Sequence, residues 1–355
     1  MNRQELFNLS IDPPDEETAF RVRARWDAVA KPLDALGRFE EMTIRIGAML
    51  RDEELDLSKK TVVTFCADNG IVAEGVTQTG QSVTAAVAES IAAGTASVSR
   101  MAETVGAGVL PVDIGINSRD SVPGVLNRRV RAGTENFLET PAMTEEECLR
   151  AIECGMEIAE QLKVEGVSII ASGEMGIGNT TTGSAVAAAL LGLSASLVTG
   201  KGAGLSESGF KRKIEVIDQA VGKYGLHKTD PLAILYTVGG LDIAGMTGLF
   251  IGGALFHLPV VVDGMISAAA ALLAERLVPG VKEYMLASHM GKERACRLLL
   301  SELSLVPVID ADLALGEGTG AVMLFSLLDQ VLSVYHGNTT FSKLFLKPYE
   351  RFEGT

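Results

Sequence analysis

Two glutamates stand in glycine turns where the chain could carry out acid–base chemistry. Glu317 lies in Gly316-Glu317-Gly318-Thr319-Gly320, where flexible neighbours open backbone conformations closed to other residues and let a ligand approach. A carboxylate held there can act as a general base if burial raises its pKa toward neutrality; the plain alternative is a surface loop. Glu174 lies in Gly173-Glu174-Met175-Gly176-Ile177-Gly178-Asn179-Thr180-Thr181-Thr182. Residues 167–171 before it are apolar and mostly β-branched, and residues 184–193 after it are alanine-rich, so a buried strand feeds a turn that opens a helix. Such a turn aims backbone N–H groups and the positive end of the helix dipole at one spot, which suits an anion. Glu174 would repel that anion unless it faces another part of the ligand.

Two familiar nucleotide motifs do not fit. A dinucleotide fingerprint read from Gly176 and Gly178 has Thr181 in place of its third glycine. The next strand-like run, residues 195–199, leads to Lys201 rather than to a ribose-binding acid. A Walker loop fails because Gly202, not Ser or Thr, follows Lys201. Lys211-Arg212-Lys213 lies on a helical stretch and is either a solvated basic face or a source of one phosphate ligand, joined by Lys201 from the turn at residues 200–204.

Composition narrows the class. The 355 residues suggest two domains, or one large α/β domain with an annex, and 47% hydrophobic with only 5% aromatic residues implies an aliphatic core. A net charge of −14 with no basic stripe argues against nucleic acid. Cys66, Cys148, Cys154 and Cys296 are scattered, and the four histidines show no ligand spacing, which reads as a reduced, cytoplasmic protein without structural metal. The polar start lacks a signal peptide's apolar core. Residues 243–262 are apolar enough to raise a membrane question, but Asp242, His257, Pro259 and Asp263 favour a buried helix, turn and strand.

The elements that must position these groups follow in order. Asp12-Pro13-Pro14-Asp15 predicts a helix start with Asp12 as N-cap. A second amphipathic helix is expected over residues 36–51, so the chain opens with a helical annex. From residue 61 onward, short β-branched runs at 62–67, 109–112, 167–171, 260–262 and 284–287 alternate with helical stretches, which predicts a parallel sheet covered by helices on both faces. Each run ends in a polar residue: Asp68, Asp113, Ser172 with Glu174, Asp263 and Ser288. In such sheets ligands bind beyond the carboxyl ends of the strands. The last helix, residues 321–335, returns toward the N-terminal pair in one arrangement open to the chain.

The two glycine motifs, with Asp68-Asn69-Gly70, Glu74-Gly75-Val76, Pro141-Ala142-Met143-Thr144 and Val261-Val262-Asp263-Gly264, closely resemble the nicotinate-nucleotide:dimethylbenzimidazole phosphoribosyltransferase family, which activates the lower ligand of cobalamin. The resemblance implies an α/β fold, a Rossmann-like parallel sheet (residues 56–329), with a small helical domain built from residues 1–55 and 330–355. It implies a homodimer, or a heterodimer with a paralogue, that transfers phosphoribose from nicotinate mononucleotide to an aromatic base with no cofactor or metal and no membrane partner. It also implies roles: Glu317 as catalytic base and Glu174 as a second catalytic residue; Gly176, Gly178, Asn179, Thr180, Lys201, Gly202, Lys213, Asp263, Leu315 and Gly316 as substrate-binding; and Gly80, Ala88 and Met175 around the acceptor base. Departures fall at Asp34, Ala35, Gly291 and Arg294, so a paralogue for purines or phenols, or a weakly catalytic subunit, is the competing reading.

Overall fold

The computed structural model describes residues 1–352. Its strands are β1 (Lys60–Ala67), β2 (Gly108–Gly115), β3 (Leu126–Asn127), β4 (Ile169–Met175), β5 (Val260–Val262) and β6 (Met285–Ala287). All pair in parallel, in the order β3-β2-β1-β4-β5-β6. The central strands β1 and β5 are buried along nearly their whole length because both faces are covered, so no alternation of buried and exposed residues appears in them. From β1 the chain winds outward to β3, and from β4 it winds the other way to β6. With right-handed crossovers, that reversal sends helices to opposite faces and opens a crevice beyond the carboxyl ends of β1 and β4.

One face carries the Ser82–Ala92 and Ser97–Thr104 helices against β2. The other carries the Leu241–Leu255 helix, which lies along β1, β4 and β5 and packs on the Glu145–Val164 helix. That last contact explains the glycines of the very apolar stretch. A Cβ on Gly248 would collide with the carbonyl of Ile152, and one on Gly155 with the carbonyl of Gly245, so the two backbones touch. The stretch at 243–262 is thus a buried helix, a turn and β5; among the described residues no helix is long and apolar enough to cross a membrane.

The chain ends pack together. Trp26 and Tyr335 pack at a tilt of 58° with ring centroids 5.0 Å apart, Ala30 N–H donates to the Thr339 carbonyl at 2.9 Å, and Arg351 pairs with Asp27 at 2.7 Å and Asp34 at 2.8 Å. Some local expectations shift. The first long helix is Glu16–Ala28 with Asp15, not Asp12, as its cap: Asp15 Oδ2 accepts the Thr18 N–H at 2.9 Å. Pro14 pushes the residue before it out of the α region, so a helix cannot begin at Pro13. The strand-like run at 195–199 is a short helix, Ala195–Val198. Its buried residues, Ala195 and Val198, are three apart, the spacing of one helical face rather than of a strand.

Because Gly248 meets backbone rather than a movable side chain, Gly248→Ala is expected to destabilise the protein by about 1–3 kcal/mol. Differential scanning calorimetry should record a lower melting temperature with β-sheet content unchanged.

Candidate active site

A cavity of about 230 Å³ opens beyond the carboxyl ends of β4, β5 and β6. Its floor is the segment from Gly173 to Thr180, one wall the Asp263–Ser267 segment, another His289 to Glu293, and its roof Leu313 to Glu317. β4 runs further than its apolar run suggests. Glu174 and Met175 belong to the strand and sit level with Phe65 and Cys66 of β1, and the turn proper is Gly176 to Gly178. Two of its N–H groups are already engaged: Ile177 donates to Thr84 Oγ1 at 3.1 Å and Asn179 to the Gly176 carbonyl at 3.1 Å. The anion-binding capacity of this turn is therefore smaller than its glycines promise.

The roof loop is seated by backbone contact. Gly316, Glu317 and Gly318 take φ of 85°, 62° and 95°, three left-handed residues in a row. For Glu317 this conformation costs about 1–2 kcal/mol, which the surroundings must offset. They do so in three ways. The Glu317 carbonyl lies so close to Gly173 that a Cβ there would strike it, and Thr64 Oγ1 donates to the same carbonyl at 3.2 Å. Asp263, at the end of β5, accepts the Ala321 N–H at 3.0 Å and so caps the Thr319–Gly337 helix. The Glu317 carboxylate accepts the Val98 N–H at 3.1 Å, in the first turn of the Ser97–Thr104 helix.

Acids outnumber cations around the cavity. Glu174 is half-buried, and its remaining exposure is toward the cavity. Desolvation, and then the charges of Asp242, Asp263 and Glu317, hold its carboxyl well above the usual range, opposed by a hydrogen bond from Asn179. Burial likewise pushes Asp263 up to about 7, against three backbone N–H donors at Gly318, Gly320 and Ala321. His289, 3.9 Å from Asp263, is lowered by burial and stays neutral at pH 7. Lys213 is 1% exposed and lowered to about 8 by burial, its Nζ donating to Thr180 Oγ1 at 2.9 Å.

Of the residues singled out from sequence, Glu174, Met175, Gly176, Asn179, Thr180, Gly202, Asp263, Leu315, Gly316 and Glu317 line the cavity. Lys213 stands behind Thr180, and Gly178 supports the turn from below as cap of the Asn179–Leu191 helix. Ala88 packs beside Met175 in a small apolar cluster with Cys66 and Ile116. Gly80 is exposed in the loop before the Ser82–Ala92 helix, and Lys201 is exposed and ion-paired with Glu207. Asp68 and Asp113 serve the scaffold: Asp68 accepts from Thr84 at 2.6 Å, and Asp113 pairs with Arg129 at 2.7 Å. His289 and Glu293 escaped the sequence reading although both line the cavity; His289 directly follows the strand-end Ser288, a signal that pointed at it. Glu293 Oε1 accepts the Gly202 N–H at 3.2 Å, which nothing in its sequence neighbourhood announces.

The raised pKa of Asp263 has a consequence for stability. The folded protein binds this proton more tightly than the unfolded chain, so the contribution is full below the unfolded pKa near 4 and lost as pH rises through about 7. The melting temperature should fall between about pH 5 and about pH 8, and the Asp263→Asn protein should show a flatter profile over that window.

Comparison with known proteins agrees with this geometry. The family described as Phosphoribosyltransferase matches residues 11–344. A nicotinate-nucleotide–dimethylbenzimidazole phosphoribosyltransferase of Clostridium acetobutylicum is 37% identical over 350 residues, covering 99% of each chain. The enzyme of the same name from Geobacter metallireducens is 40% identical over 335 residues, covering 94% of this chain and 95% of its own. The crystal structure of CobT from Thermus thermophilus superposes with a TM-score of 0.87 at 38% identity, over 93% of this chain and 99% of that one. With the family match, the sequence identity and the superposed fold in accord along nearly the whole length, this chain belongs to the nicotinate-nucleotide–dimethylbenzimidazole phosphoribosyltransferase family.

Proposed function

We propose that this protein transfers phosphoribose from nicotinate mononucleotide to a ring nitrogen of dimethylbenzimidazole, giving α-ribazole phosphate and nicotinate. The observation that carries the reading is the shared cavity: Glu317 in the roof and the Glu174 to Thr180 segment in the floor face one space. The pyridinium of the donor is already a cationic leaving group, so its departure needs no acid, and positive charge develops on the ribose as the bond breaks. The acceptor must lose its N–H proton, and Glu317, oriented by the Val98 N–H, is the group that takes it. Thr180, Lys213 and the Gly202 turn hold the phosphate, and Met175, backed by Ala88 and Cys66, offers a flat apolar wall to the acceptor. Attack from the face opposite nicotinate inverts the anomeric carbon.

Residues 1–55 with the C-terminal segment from residue 330 form the small domain in this reading, its last three positions, 353–355, lying outside the described residues, and the protein works in the cytoplasm as a homodimer. The exposed Phe345 and Leu346, 97% and 57% accessible, supply apolar surface for a second copy to cover.

Glu317→Ala is expected to lose ~10²- to 10⁴-fold in turnover while keeping its circular dichroism spectrum. Turnover equal to that of the parent protein would overturn the assignment. Nicotinate release from nicotinate mononucleotide, followed with benzimidazoles, purines and phenols as acceptors, should be fastest with dimethylbenzimidazole. Silence with every acceptor would remove the transfer reaction altogether.

A further inference from the structure

Asp242 is a buried charge that the transfer chemistry leaves unexplained. It lies in the first turn of the Leu241–Leu255 helix, 0% exposed and outside the cavity lining. Among the described residues no lysine, arginine or histidine pairs with it. Its Oδ1 accepts the Ile243 N–H at 3.0 Å, and its Oδ2 lies 3.3 Å from Asn179 Nδ2. The same Nδ2 donates to Glu174 Oε2, so one amide nitrogen stands between two carboxyl groups. Glycines shape the place: a Cβ on Gly240 would strike Asp242 Oδ1, and one on Gly176 would lie 3.0 Å from Oδ2. Glu174 Oε1 points the other way, 2.7 Å from where a Cβ on Gly316 would sit, under the roof of the cavity.

A neutral amide can donate to both groups but cannot neutralise two negative charges in a water-poor site, so the pair retains a proton. Hydrogen bonding decides which carboxyl holds it. Asp242 takes a backbone N–H as well as the amide, which favours its ionised form, while Glu174 has the amide alone. The charges acting most strongly on them are negative: Asp68 on the side of Asp242, Asp263 and Glu317 on the side of Glu174, with the neutral thiol of Cys66 close to both; Lys292, Glu293 and the neutral His289 line another wall of the cavity.

We propose that Asp242 is a positioning residue for the transfer reaction: through the shared amide of Asn179 it fixes the Glu174 carboxyl and keeps it protonated, so that Oε1 enters the cavity as a hydrogen-bond donor. The inference rests on the phosphoribosyl-transfer reading, and it explains how a cavity ringed by acids admits a donor that carries both a phosphate and a carboxylate. A protonated Glu174 offers such a ligand an O–H where an ionised one would repel it.

The test has one arm that needs no substrate. Infrared difference spectra between the full chain and its Glu174→Gln variant follow the carbonyl stretch of the protonated Glu174 carboxyl as pH rises. In Asp242→Asn the like charge is gone, so that band should disappear at a pH lower by about one unit or more. In the second arm the alkaline limb of kcat/KM should move down by the same amount, a displacement that a merely structural role would not produce. If Asp242→Asn does not fold, Asp242→Ser removes the same charge. An unmoved band in a folded variant overturns the inference even if transfer activity is intact. A moved band in a protein that releases no nicotinate leaves the carboxyl coupling in place and overturns the transfer reading and, with it, the catalytic role.

Discussion

The site depends on one close approach, the backbone of Glu317 lying on Gly173. Everything above the sheet is referred to that contact. It brings a loop from the far end of the chain onto the end of β4, and it does so only because residue 173 has no side chain. The strain in the left-handed Glu317 is offset from both sides, by Asp263 capping the helix that follows and by Val98 holding the carboxylate. A carboxylate delivered in this way is fixed by backbone and strand ends rather than by a mobile side chain reaching from a distance. Preorganisation of that kind is what the base role proposed for Glu317 requires.

The electrostatic character of the cavity follows from the same crowding. Strand ends converge and carry polar residues, which brings Glu174 and Asp263 to the cavity, while Asp242 in the first turn of the Leu241–Leu255 helix lies buried behind Glu174, and Lys213 is buried at the edge. Ionising all of them together is too costly, and protons remain on some of them near neutral pH. The acidic set is thereby divided into groups that hold the scaffold, such as Asp263 at a helix end, and groups that face the ligand, such as Glu174 and Glu317. A whole-chain charge of −14 is therefore compatible with an anionic donor, because protonation state and helix ends, not net charge, set the local field.

Much of this is legible from residue order alone. The alternation of β-branched runs with helical stretches specifies a covered parallel sheet, since a strand without polar alternation must be buried on both faces. Polar residues closing each run point at the correct edge, and the glycine-flanked Glu317 is recognisable because few other contexts need such backbone freedom. Where sequence and structure differ, local and tertiary forces disagree. Asp12 resembles a cap until Pro14 is considered, and residues 195–199 have strand propensity yet coil into a helix beneath the Glu207–Lys223 helix. The two-residue β3 carries too few letters to show a period at all.

Residue order therefore specifies the layers, the edge where chemistry gathers and the two glycine motifs, because periodicity and backbone permissiveness are properties of neighbouring residues. Long-range packing alone settles which acids share a proton, that Asn179 stands between Glu174 and Asp242, and that Glu293 fills the turn at Gly202. Those relations join residues 63 and 91 positions apart, and a carboxyl group's charge depends on the water and charges around it, which no local pattern of letters encodes.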